Sequence, residues 1–173
     1  MKTRRSTRHE RHWMLGAVVG WLVGGMVGAL SMVVQAQGLP AQTRWTVSSD
    51  GSSVFDHSTW LTWARCAVGQ IPPDCSGRAR AYTHDQALAY AASQIGWRLP
   101  NVNELSSLVD PRVIPGTGEA TIDSSLFPNT SASWFWSAWP VEGNLAYAWS
   151  VNFERGYIDY NLRHAVGLVR LVR

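Results

Sequence analysis

The side chains best suited to holding a ligand lie in the C-terminal third: Trp139, Asn144, Tyr147, Arg155, Tyr157, Tyr160 and Arg163. Flat rings can stack on the apolar face of a sugar, while an amide and two guanidinium groups can hydrogen-bond its hydroxyls. Trp139 precedes Pro140 at the start of a VEGN loop, so it is the ring expected to be most exposed. Core packing is the competing role for every one of these rings. A second group stands in GWRLPNVNEL, where Trp97, Arg98 and Pro100 fall between two helical patterns and Glu104 stands in the first turn of the second. Leu99 precedes a proline and is pushed out of helical conformation, which makes a corner. There the guanidinium fork of Arg98 can tie helix end, loop and a carboxylate such as Glu104 or Asp110 together as a structural clasp.

Other chemistry is poorly provided for. No GxSxG elbow occurs, and His57, His84 and His164 are dispersed. His84, beside Thr83, is expected in solvent, and His57 and Asp56 are neighbours that point apart on a strand. Neither EPN nor WND is present as a source of calcium-binding oxygens. No metal ligands and no cofactor are therefore assigned, and no catalytic residue.

The elements that must position these groups follow from period and caps. RWTV (44–47) and WLTWARC (60–66) read as strands around a polar SSDGSS turn. Thr83 with Gln86 forms a capping box for a helix whose apolar stripe is Ala87, Leu88, Tyr90, Ala91 and Ile95, closed by Gly96. Asn101 with Glu104 starts a second helix with Leu105, Leu108 and Val109 inward, stopped by Pro111. The period then falls to two. SWFWSAW, a half-buried AYAWSVNF and YIDYN form a meander around the turn Glu154-Arg155-Gly156, with AVGLVRLVR as a final strand. Strand, helices, then meander define an α+β domain.

The first 36 residues stand apart. Five of the fifteen basic residues precede Ala36, followed within this stretch by an uncharged run of 22 residues from Trp13 to Val34 and a VQA cleavage signal. This apolar N-terminal export helix reads as a signal peptide of the general secretory route, or as an uncleaved anchor, being long enough to span a bilayer. Residues 37–173 then keep ten Arg against eleven acids, a formal charge of −1. The basic sequence pI of 9.2 belongs to the leader and predicts no nucleic-acid partner. Cys66 and Cys75, an even pair in an exported chain with Pro72 and Pro73 turning the loop, read as a disulfide. A reactive thiol or metal pair is the rival, without a CxxC to support it.

Taken in order, DHSTWLTWARC, WRLPNVNEL, FPNT, SWFWSAWP, AYAWSVNFERGYIDY and LVRLVR resemble the Lcl C-terminal domain family. The resemblance covers residues 54–173, after the leader (1–36) and a linker with a first strand (37–53). It departs from the pattern at Trp60, where glycine is usual, and at Ala138, where serine is usual. What it implies is a C-type lectin-like fold of two short helices and an antiparallel β meander. It also implies an exported, non-enzymatic module for adhesion to a carbohydrate or cell-surface polymer. The alternative is a structural domain binding an envelope protein, held to the membrane by residues 13–34 if these are retained.

Overall fold

The computed structural model describes residues 44–173. The expected leader, its cleavage site and its possible membrane helix lie outside these residues. Among the described residues, no helix is long and apolar enough to cross a membrane.

Two antiparallel three-stranded sheets form the frame. β1 (Trp45–Val47), β2 (Ser53–Asp56) and β3 (Leu61–Ala64) make the first; β4 (Trp134–Pro140), β5 (Tyr147–Asn152) and β6 (Tyr157–Leu162) make the second. Between them come α1 (His84–Ser93) and α2 (Val102–Ser106). The domain is α+β, with the meander where the period-two pattern places it.

Both capping boxes form. The Thr83 hydroxyl accepts from the Gln86 amide at 3.3 Å and the Gln86 side chain accepts from the Thr83 amide at 3.0 Å. Asn101 and Glu104 exchange the same pair of bonds, each at 2.8 Å. Each box satisfies amides that a helix start otherwise leaves bare. α1 nevertheless ends earlier than its apolar stripe suggests, because Gln94 is already extended. Ile95 therefore leaves the helix face and is 99% exposed.

The helices cover opposite faces of the second sheet. Ala87 and Ala91 of α1 pack with Trp136 and Ala148; Val102 and Leu105 of α2 pack with Phe135, Val151 and Phe153. β5 is thus buried on both faces towards its C-terminal end, where Ser150 is as fully covered as Val151. The expected half-buried strand is corrected here. Small residues at alternate positions are what allow α1 to approach, not a sign of solvent.

The C-terminal segment is the other correction. It forms no continuous strand, because its backbone is shared among several partners. Gly167 pairs with Tyr82, Leu168 with Trp134 and Trp136, Val172 with Arg98, and Arg173 with Thr62. This stitch joins both sheets and the interhelical corner. The Cys66–Cys75 disulfide is formed, with Cα atoms 5.0 Å apart.

Trp60 occupies the position where the resemblance leads one to expect glycine, and its backbone has φ +61°. Its ring is 77% exposed. The left-handed region costs a residue with a Cβ roughly 1–2 kcal/mol. Trp60→Gly is accordingly expected to raise stability by about 1 kcal/mol, or a few tenths less once glycine's added chain entropy is counted. Urea unfolding of the two chains checks this, and a loss of stability would mean that the exposed ring contributes more than the strain.

Candidate functional site

Because Arg98 exchanges backbone hydrogen bonds with Val172 (2.9 and 3.0 Å) and the Pro100 carbonyl accepts from the Ala138 amide (2.8 Å), the WRLP corner is held against β4. A cleft of about 470 Å³ opens between this corner, α1 and the end of β4. Leu88, Ala91 and Ala92 form its apolar side, Trp97 and Trp139 contribute rings, and Arg98, Asn101 and Glu104 contribute polar groups. Trp139 is 46% exposed. The Arg173 guanidinium lies 4.6 Å from the Trp97 ring centre, covering that ring by a cation–π contact.

Arg98 meets Glu104 as a two-pronged pair, at 2.7 and 2.9 Å. Asp110, the other carboxylate considered for the corner, is bound to Arg112 instead. The Arg98 fork holds the Glu104 carboxyl below the usual carboxylate range, against the opposing effect of burial. Glu104 therefore does two things: it caps α2 and fixes the guanidinium at the cleft edge. Its stabilisation is full above about pH 4.5, where the unfolded carboxyl is also ionised, and fades as acid protonates the folded form. Arg98 is half exposed, so solvent screening limits the ion pair, and Glu104→Ala is expected to cost about 1–2 kcal/mol including the lost cap. Thermal unfolding at neutral and acid pH checks it. The gap between wild type and variant should narrow below about pH 4, and a gap independent of pH would show that the charge is irrelevant.

The expected ligand residues do not converge. Trp139 lines the cleft. Tyr147 and Tyr160 lie on one face of the β5–β6 hairpin, with ring centres 5.5 Å apart, and Trp149 joins them 5.9 Å from Tyr160. Tyr157 pairs with Asn152 and so faces the other side. Asn144 is spent on the turn, accepting from the Ala146 amide at 3.3 Å. Arg163 is bonded to Asp85 on α1, and Arg155 stands exposed in the hairpin turn. Trp97, Arg98, Pro100 and Glu104 do gather at one corner, and three of them share the cleft with Trp139. Asn101 was missed as a cleft residue, although its capping role marked its position. Trp149 was missed as well, although it shares the parity of Tyr147.

His84 departs from the expected solvated position. It is buried, with Nε2 3.0 Å from the Ser137 carbonyl and its ring edge-on to Trp136. Burial pushes its pKa down and favours the neutral ring. Among the described residues, no three His, Cys, Asp or Glu side chains are grouped to hold a metal ion.

The described chain is a two-sheet α+β domain, stitched by its C-terminal segment, with a tryptophan-flanked cleft at the interhelical corner. The Lcl C-terminal domain model matches residues 52–173, and the chain belongs to that family. Comparison with curated proteins and with solved structures found no match. The bonded cysteine pair fits an extracytoplasmic location, since disulfides persist in oxidising compartments.

Proposed function

We propose that this chain is an exported, non-enzymatic binding module whose Trp97–Trp139 cleft engages a carbohydrate or cell-surface polymer. The observation that carries the reading is the composition of that cleft. An exposed ring beside a fixed guanidinium–carboxylate pair and an amide matches what a sugar presents, an apolar face edged by hydroxyls. The reading takes the fold as C-type lectin-like, in keeping with two helices against antiparallel sheets and a disulfide in the connecting region. Export through residues 1–36 supplies the location such a role needs.

The test is binding of the purified chain to neutral, acidic and sulfated glycans, with calcium and with chelator, beside Trp139→Ala. Affinity in the variant should fall by about tenfold or more, the equivalent of losing a stacked ring. Its fold should be unchanged, because the side chain is half exposed. Binding that survives the substitution would remove Trp139 from the site, and no glycan binding at all would sink the reading.

A second reading has its own observation. Tyr160 and Ile158 of β6 are 54% and 42% exposed and lie on the same face as Trp149 and Tyr147. Such an apolar face suits a protein partner in an envelope assembly. Substitution of Tyr160 should then weaken capture of that partner and leave glycan binding alone.

A further inference from the structure

A second depression, of about 520 Å³, shares no lining residue with the tryptophan cleft. Arg78 to Ala81 form one wall, Ser131 and Ser133 the other, and Leu168 lies between. No carboxylate lines it. Most of the other described arginines are committed, Arg155 in the hairpin turn being unbonded and Arg173 lying over the Trp97 ring. Arg44, Arg98, Arg112 and Arg163 pair with carboxylates, and Arg65 and Arg170 donate to carbonyls. Arg78 and Arg80 are exposed and their side chains have no hydrogen bond or ion pair. Nor do the Ala79 and Ala81 amides or the Ser131 and Ser133 hydroxyls have a partner. The residues that border this groove thus carry two guanidinium groups, two amides and two hydroxyls with no acceptor within the protein.

The wall that carries the arginines is fixed. Arg80 donates its amide to the Val68 carbonyl at 2.7 Å, and Tyr82 exchanges backbone bonds with Gly167 at 2.9 Å. Gly69 packs directly beneath: a methyl group there would lie 2.8 Å from the Arg80 nitrogen and 3.0 Å from the Arg78 carbonyl. The two arginines thus rise, two residues apart, from a backbone that cannot retreat, with their side chains unbonded at the groove.

We infer that this groove binds a phosphate monoester through Arg78 and Arg80, with Ser131 and Ser133 as additional donors. Charge selects the class. Two guanidinium groups without a counter-ion match a group carrying about −1.5 to −2 at neutral pH, which a phosphate monoester does. A sulfate ester or a carboxylate brings one negative charge. The monoester can end a phosphorylated glycan or head a lipid, and the groove's chemistry is common to both. The inference does not depend on the glycan reading, because the two sites are separate.

The test is a calorimetric titration of the full chain with a hexose phosphate, with the matching hexose sulfate, and with vesicles containing phosphatidic acid. The double variant Arg78→Gln, Arg80→Gln is compared with Arg155→Gln, another exposed arginine, distant in sequence. At least one phosphate probe should bind, and the double variant should lose about tenfold or more in affinity while Arg155→Gln loses none. Binding should weaken as pH falls through about 6, where the monoester takes up its second proton. Hexose phosphate alone would mark a sugar source, and vesicles alone a lipid source. The inference is overturned if neither phosphate probe binds, if the sulfate binds as well as the phosphate, or if Arg155→Gln is equally damaging.

Discussion

Arg170→Ala is expected to remove about 3–5 kcal/mol of stability, a large share of the 5–15 kcal/mol that holds an ordinary domain together. Arg170 is fully buried and has no carboxylate beside it. It donates to the Ala64 carbonyl at 2.8 Å, to the Arg65 carbonyl, and to the Thr130 hydroxyl at 2.7 Å. Its guanidinium also lies 4.8 Å from the Phe127 ring centre and 5.9 Å from that of Phe135. Burial pushes its pKa down to about 9, which still leaves the charge in place at neutral pH. That charge is held by carbonyl dipoles and ring faces. Truncation opens a cavity and leaves three acceptors without a donor, so both costs add. Arg170→Met, which refills the volume alone, should recover part of the loss. Equal stability for the alanine variant and wild type in urea would show that the buried guanidinium is dispensable.

Trp136→Ala should be comparably costly, about 3–5 kcal/mol for a fully buried ring, and should also disturb binding. The Trp136 ring is edge-on to Trp134 and to His84, with centres 4.7 and 5.1 Å away, and its indole donates to the Tyr82 carbonyl at 2.8 Å. Ala87 and Ala91 of α1 and Leu99 of the corner close around it. Those same elements wall the cleft, so the cavity left by the ring lies behind the proposed site. Arg170 belongs to the other cluster, with Phe127 and Phe135. The paired prediction is therefore specific: at temperatures where both variants remain folded, Trp136→Ala loses ligand affinity and Arg170→Ala keeps it. Retained affinity in Trp136→Ala would mean that the cleft does not depend on the packing behind it.

Much of this arrangement is legible in the chain because local rules act locally. Thr83/Gln86 and Asn101/Glu104 fix two helix starts through bonds that span three residues. The Tyr147–Leu162 hairpin follows from alternation and one Gly-containing turn. What is not legible is set by contacts between distant segments. The coverage of Ser150 and His84 comes from α1 lying on the sheet, and nothing near either residue encodes it. The 167–173 segment looks like a strand by composition, yet it is divided among partners from four parts of the chain. The candidate site shows the same division. Arg98 and Glu104 were readable as a pair from their spacing, whereas their meeting with Trp139 depends on the Pro100–Ala138 bond across the fold.

The account turns on which rings meet the ligand. The described residues contain eight of the ten tryptophans, and each carries an indole N–H that reports on its own surroundings. A heteronuclear NMR titration of the chain with the best binder from the glycan panel reads them together. The cleft reading predicts that the Trp139 and Trp97 indole signals shift in proportion to occupancy, while those of Trp149 and Trp60 stay in place. Shifts confined to Trp149, with the cleft signals unmoved, would contradict it and transfer the site to the face of the β5–β6 hairpin.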